Sequence, residues 1–233
     1  MPNITIAIDG FSSTGKSTVA KQLADWLDYV YVDTGAMYRA LTLYALRHGL
    51  ITEEIIDEKA LIEALPSIKI HFQKQNGKAE VYLNNENVEK EIRQMEVSEY
   101  VSPVATISEV RKKLVEQQQE LGKGGSVVMD GRDIGTVVFP DAELKIFMTA
   151  SAATRANRRY DELIDRGDVV TYQEVLENVQ ERDYIDTTRA DSPLVKASDA
   201  IEIDNSEMNL EDQFHTILQL AKDRIAGRVS DKM

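Results

Sequence analysis

The sequence predicts an α/β fold of the P-loop NTPase type: a five-stranded parallel sheet flanked by helices, with a small antiparallel β insertion. Three observations lead there. A short apolar strand runs straight into a glycine-rich turn and then a helix. Strand-length apolar runs then alternate with amphipathic helical stretches along most of the chain. Between residues 66 and 93 the period changes from helical to alternating, with turn residues between the alternating runs.

Taken in order, Ile4, Ile6 and Ile8 among Thr5 and Ala7 read as a buried strand, and the helix after the glycine turn starts near Ser17, with Val19, Leu23 and Trp26 or Leu27 on one face. A second strand is expected over 29–32 and a second helix over 36–48, stopped by Gly49. In the insertion, Ile68, Ile70 and Phe72 alternate with polar residues, Asn76-Gly77 signals a tight hairpin, Val81 and Leu83 alternate again, and residues 84–87 signal another turn. Helical patterning resumes over 95–121, broken near Pro103 and restarted with Ser108 as N-cap, and the glycines at 122–125 stop it. Strands are expected over 126–129 and 144–148. Ser151 and Thr171 are helix N-caps, the latter with Glu174 in a capping box. The last strand covers 200–203, and Asn209 caps a final amphipathic helix to about Ala226.

Composition narrows the function. The chain has 233 residues, ordinary apolar content, and a formal charge of −13. Such an acidic balance argues against a general nucleic-acid or membrane-surface binder, which needs a surplus of Lys and Arg on one face. There is no cysteine. Neither a disulfide framework nor a thiolate metal site is possible, and the composition suits a reducing cytoplasm. The N-terminal run lacks the basic segment and the apolar length of a signal peptide. A cytoplasmic monomer is the expectation.

The strongest motif is Gly10-Phe11-Ser12-Ser13-Thr14-Gly15-Lys16-Ser17, which meets the pattern G-x-x-x-x-G-K-[ST] in full, after a strand and before a helix. Glycines there let the backbone N–H groups wrap a phosphate, and the helix N-terminus adds favourable partial charge. Gly10, Ser12, Ser13, Thr14, Gly15, Lys16, Ser17 and Thr18 are therefore the candidate ATP contacts. Lys16 would meet the β and γ oxygens, and Ser17 would hold Mg²⁺. Asp130, at the end of the apolar run Val127-Val128-Met129, is the matching candidate for positioning Mg²⁺; a strand that simply ends at an acidic turn explains it equally well.

Arginines stand out in so acidic a chain: Arg39, Arg111, Arg132, then Arg155, Arg158 and Arg159 on one expected helix, and Arg182 and Arg189. Singly, each reads better as part of a solvated helix face with carboxylate partners than as a ligand contact. Together they suit transfer between two nucleotides, where planar guanidinium forks neutralise several phosphates. His48, His71 and His215 are far apart, with no ligand spacing, so neither a metal cluster nor an acid–base histidine is expected. A phosphate acceptor is already ionised at neutral pH and needs no general base.

The run Asp33-Thr34-Gly35-Ala36-Met37-Tyr38-Arg39 resembles the end of the second strand of bacterial cytidylate kinases, and the run from Asp130 through Gly131, Arg132 and Asp133 to Asp141 resembles that family's fingerprint. Glu181-Arg182-Asp183 with Asp186 and Arg189, and Ile203-Asp204-Asn205-Ser206, are similar to two further family segments, so the resemblance spans nearly the whole chain. It implies ATP-dependent phosphorylation of CMP or dCMP with Mg²⁺. It also implies a core of 1–65 and 94–233, an arginine-bearing lid over about 151–170, and a β insertion over 66–93 in the acceptor region. By the resemblance, Thr34, Arg39, Ser102, Arg111, Arg132, Asp133, Arg182, Asp186 and Arg189 would bind CMP, with Ser102 and Asp133 reading cytosine. Lys16, Arg132, Arg155 and Arg159 would be the catalytic set, the last two meeting the donor phosphates. Phe11 departs from the family, which usually has proline there, and Tyr184-Ile185 stand where charged residues are common. Other readings are a kinase for UMP, AMP or shikimate, or a non-catalytic ATP-binding module; no Asn-Lys-x-Asp guanine-reading run is present.

Overall fold

The computed structural model describes residues 3–228 except 54, 76 and 77. The chain gathers into two compact units, one made of the residues up to Val32 and from Gln119 onward, the other of Asp33–Gln118.

In chain order, β1 (Thr5–Gly10) leads through the glycine loop to α1 (Lys16–Leu27), then β2 (Val30–Asp33) and α2 (Thr34–Arg47). No side chain caps α1: its N-cap is Gly15, in the left-handed region at φ 87°. The leading N–H groups of this helix are thus not satisfied by a local cap. By contrast α2 begins two residues before the expected start, because the Asp33 carboxylate accepts from the Ala36 N–H at 2.8 Å and caps it. A short helix that the pattern did not signal, α3 (Glu58–Ala64), follows, capped by Asp57 but burying only Leu61. One buried side chain in seven residues leaves too little periodicity to read.

β3 (Ile70–Gln75) and β4 (Lys78–Leu83) pair antiparallel, with Gln75 opposite Lys78, while Asn76 and Gly77, where the hairpin turn is expected, lie outside the described residues. Asn84 and Asn85 make the next turn, both at positive φ (47° and 71°), and the chain re-enters the sheet at once as β5 (Glu86–Asn87), where turn alone was expected. Asparagine tolerates this region better than other residues with a side chain. α4 (Met95–Val104) carries Pro103 just before its end, and α5 (Ser108–Gly122) starts with Ser108 as its first helical residue, one place from the expected cap.

β6 (Val127–Gly131) is followed by a π-helical turn, Ile134–Val138, closed by Phe139 N–H on the Ile134 carbonyl at 2.7 Å. Then come β7 (Leu144–Thr149), α6 (Ala152–Asp165) and α7 (Tyr172–Thr188). Ser151 caps α6, and Thr171 with Glu174 forms the expected capping box on α7. The chain ends in β8 (Ile201–Asp204) and α8 (Leu210–Ile225), with Asn209 as its cap.

The first unit is built on a five-stranded sheet in the order β2-β6-β1-β7-β8, with β1 parallel to both β6 and β7, and β7 parallel to β8. Ile6, Ile8, Val128, Ile146 and Met148 from the sheet pack with Val19 and Leu23 of α1 and Ile217 and Ala221 of α8 in one dry cluster. Burial of such side chains, each worth about 1.5–3 kcal/mol, holds the central strands in place. Within the second unit, α2 packs against α4 and against β4 of the three-stranded sheet β3-β4-β5. Among the described residues no helix is long and apolar enough to cross a membrane.

The register makes one residue irreplaceable. At Gly10, paired with Met148, φ is 145°, and a Cβ would stand 2.0 Å from the Met148 carbonyl oxygen. Gly10→Ala is therefore expected to lower the unfolding free energy by at least ~3 kcal/mol, through clash and backbone strain together. Urea denaturation measures it, and a midpoint equal to that of the unmodified chain would refute this account of the β1–β7 contact.

Candidate active site

The glycine loop joins β1 to α1 in the first unit. Within it Thr14 Oγ1 donates to the Phe11 carbonyl at 3.0 Å, and Lys16 Nζ donates to the same carbonyl at 2.5 Å. Burial pushes the Lys16 ammonium down to about 7, with Arg132 adding to the shift against the opposing carboxylates of Asp130 and Asp9. An anion seated beside Lys16 would favour its charged form and oppose that shift. Ser12 Oγ is buried with no hydrogen-bond partner, which is what a loop that wraps a phosphate oxygen would show.

Several side chains brace this loop. Asn205 Nδ2 donates to the Thr14 carbonyl at 2.6 Å and to Gln213 Oε1 at 2.7 Å. Arg158 in turn holds Asn205, donating to its Oδ1 at 3.0 Å and its carbonyl at 2.8 Å. Arg155, 3% exposed, donates to the Ser12 carbonyl at 3.3 Å, pairs in bidentate fashion with Asp183 at 2.9 and 2.5 Å, and lies 5.1 Å from the centroid of the Phe11 ring. Phe11 also meets Phe147 edge to face at 6.1 Å. The phenylalanine that departs from the family pattern thus gives the Arg155 guanidinium an aromatic face.

At the start of α1, Ser17 Oγ donates to Asp130 Oδ2 at 2.8 Å, and Tyr31 Oη donates to Asp130 Oδ1 at 2.9 Å. A hydroxyl and a carboxylate are the hard oxygen donors that Mg²⁺ takes, and nucleotide phosphates and water ordinarily complete its octahedron. Ser17 and Asp130 supply one of each, 2.8 Å apart, in a pair suited to sharing a cation with a nucleotide.

The expected acceptor arginines of this unit converge on one carboxylate. Arg132 Nε donates to Asp186 Oδ2 at 2.8 Å, and Arg189 Nη1 lies 3.8 Å from Oδ1. Burial alone would raise the Asp186 carboxyl, but Arg132, Arg182 and Arg189 outweigh it and hold the group below the usual carboxylate range. Arg182 is pushed down to about 10, by burial first and then by Arg132. Arg159 is 7% exposed and pairs with Glu162 at 2.8 Å. Asp133, also buried, precedes the π-helical turn.

Asp9 organises that turn: its carboxylate oxygens accept from the Ile134 and Gly135 N–H groups at 2.8 and 2.7 Å. Burial raises its pKa to about 6 despite those two bonds.

The second unit holds the other candidates. Thr34, at the start of α2, and Ser102, on α4, are both buried. Arg39 Nη1 donates to the Ile92 carbonyl at 3.2 Å, and the buried Arg111 donates to the Ala105 carbonyl at 3.2 Å while its guanidinium lies 5.6 Å from the Tyr38 ring centroid. Arg93 Nη2 bonds both Asp33 Oδ2 at 2.9 Å and Glu89 Oε1 at 3.0 Å, tying the cap of α2 to the segment after the small sheet. Burial works against the Asp33 charge, and Arg93 with the Ala36 N–H more than compensates, keeping its carboxyl low.

A parallel sheet, a complete phosphate loop braced by buried cations, and a hydroxyl–carboxylate pair define a P-loop phosphotransferase. A family model described as cytidylate kinase matches residues 6–223, and the chain belongs to that family. The cytidylate kinase of Flavobacterium johnsoniae is 65% identical over 225 residues, 96% of this chain and 98% of the relative. That of Phocaeicola vulgatus is 59% identical over 215 residues, 91% of this chain and 94% of the relative. An uncharacterised protein from Eubacterium ventriosum has a solved structure with TM-score 0.50 at 12% identity, covering 95% of this chain and 99% of that one, a likeness of fold alone.

Sequence reasoning did not single out Asp9, Tyr31, Asp183 or Asn205 as site residues. Asp183 and Asn205 lie inside the family-like runs, so proximity to Arg182 and Asp204 was the available signal. Asp9 and Tyr31 lie in strands, where one polar residue carries no periodic signature.

The charge state of Asp186 makes the fold acid-sensitive. With its native pKa depressed, it contributes stability that is complete above the ordinary carboxylate value of about 4 and is lost as pH falls through the native pKa. Asp186→Asn should cost about 3 kcal/mol at pH 7, since it leaves buried arginines under-compensated. The gap from the unmodified chain should narrow below pH ~4. Denaturant titrations at pH 7 and in acid test this, and a gap independent of pH would refute it.

Proposed function

We propose that this chain transfers the γ-phosphoryl group of ATP to CMP or dCMP, giving ADP and CDP or dCDP, in the cytoplasm and as a monomer. The observation that carries the reading is the near-full-length match to the cytidylate kinase family by a chain whose phosphate loop is complete. The lack of cysteine suits a reducing compartment.

Gly10, Ser12, Ser13, Thr14, Gly15, Lys16, Ser17 and Thr18 bind the donor phosphates in this reading, with backbone N–H groups and Lys16 supplying positive potential. Mg²⁺ would be held by the Ser17 hydroxyl and the Asp130 carboxylate, and when bound it neutralises charge on the β and γ oxygens. Thr34, Arg39, Ser102 and Arg111 contact the acceptor, as do Arg132, Asp133, Arg182, Asp186 and Arg189. Ser102 and Asp133 read the cytosine edge, where an unmatched hydrogen bond rejects an analogue strongly. The acceptor phosphate attacks in its ionised form, so catalysis is orientation and charge stabilisation with no proton abstraction. Arg132, Arg155 and Arg159 meet the charge that spreads over the transferring group. What supports their part is burial together with carboxylate pairing: Asp186 orients Arg132, Asp183 orients Arg155, and Glu162 pairs Arg159. Residues 151–170, with α6 at their centre, act as a lid that excludes water and so suppresses hydrolysis of ATP.

Arg132→Ala should lower turnover at least about tenfold, since a lost transition-state charge contact is typically worth more than 1.4 kcal/mol. Steady-state ADP formation with Mg·ATP and CMP measures it, with the thermal midpoint as a check on folding, and near-normal turnover would remove Arg132 from the catalytic set. A panel of CMP, dCMP, UMP, AMP and shikimate tests the acceptor: turnover confined to AMP, UMP or shikimate, or absent with all of them, would overturn the cytidylate reading.

A further inference from the structure

Asp130 lies at the end of β6, 3% exposed, with each carboxylate oxygen engaged by a different element. Ser17, at the start of α1, donates to Oδ2 at 2.8 Å, and Tyr31, on the neighbouring strand β2, donates to Oδ1 at 2.9 Å. A carboxylate held on one side only can rotate about its terminal torsion, which is broad and shallow. One held on both sides cannot do so without breaking a hydrogen bond to a charged group, which is stronger than one between neutral partners. A tyrosine delivers its hydroxyl from a rigid ring on a sheet strand, so the anchor itself does not wander. The positive fields of Lys16 and Arg132 also act on this carboxylate, and the tyrosine hydroxyl contributes direction where those contribute charge.

We propose that Tyr31 is a positioning residue for the divalent cation: its hydroxyl fixes the plane of the Asp130 carboxylate so that Oδ2 is presented beside the Ser17 hydroxyl. The inference rests on reading Ser17 and Asp130 as the cation-holding pair. Outer partners that orient a ligating carboxylate commonly change metal affinity by 10–100-fold when removed. The phosphates of the nucleotide share the cation, so the lower end of that range applies.

The test is nucleotide binding by calorimetry without acceptor, with ATP in excess Mg²⁺ and with ATP in a chelator, for the unmodified chain, Tyr31→Phe and Asp130→Asn. Tyr31→Phe keeps the ring and removes only the hydroxyl. The expected result is an about tenfold loss of affinity for Mg·ATP with metal-free ATP unchanged. The unchanged metal-free value also reports an intact loop. A larger loss is expected for Asp130→Asn in Mg²⁺. Tyr31→Phe binding Mg·ATP like the unmodified chain, or more tightly, while Asp130→Asn is weakened, would overturn the role of Tyr31 alone. Equal losses with and without Mg²⁺ in Tyr31→Phe would make the residue a packing element and likewise overturn it. Asp130→Asn with an unaltered response to Mg²⁺ would overturn the cation pair itself and Tyr31 with it.

Discussion

Where β1 leaves the sheet there is no room for a side chain. Gly10 presses its backbone against Met148 of β7 so closely that a Cβ would overlap the carbonyl oxygen. That approach fixes the point at which the chain turns into the phosphate loop. The pairing of β1 with β6 places Ile8 opposite Asp130 and Asp9 opposite Gly131, so the loop and the acidic end of β6 are set by one register. A slip of one residue would reverse every side chain of β1 between the two faces. Ser17 could not then meet Asp130, and the Asp9 carboxylate could not cap the turn at Ile134 and Gly135.

Around that frame the chain buries cations in quantity, which is costly unless each is compensated. Lys16 pairs with loop oxygens and yields part of its charge preference to burial. Arg155 and Arg132 each have a dedicated carboxylate, Asp183 and Asp186. These contacts hold planar guanidinium groups with little side-chain freedom left to lose. The same economy explains arginine over lysine, since a fork bonds a carboxylate and still presents N–H groups elsewhere. Arg155 shows it by reaching Asp183, the Ser12 carbonyl, the Ala150 carbonyl and the Phe11 ring at once.

Much of this was legible in the linear sequence. The five strands, the β insertion and the helix caps at Ser151, Thr171 and Asn209 were visible because each is written in local period or in one capping residue. The short helix α3, the two-residue strand β5 and the π-helical turn at Ile134–Val138 were not. Each is too short for a period, and the last depends on Asp9, a residue far away in sequence. The early start of α2 was within reach, since Asp33 with Ala36 is a capping pair and only its strand context hid it.

The sequence by itself determined the fold class, the phosphate loop and the family, because these rest on residue types at fixed short spacings, where backbone geometry dictates the chemistry. Only the tertiary structure decided which arginine answers to which carboxylate, that Phe11 supports Arg155, and that Tyr31 shares Asp130 with Ser17. Those pairings join residues up to well over a hundred positions apart, as with Ser17 and Asp130. They form only once the packed sheet and its register bring strand ends together, and no local pattern in the chain encodes them.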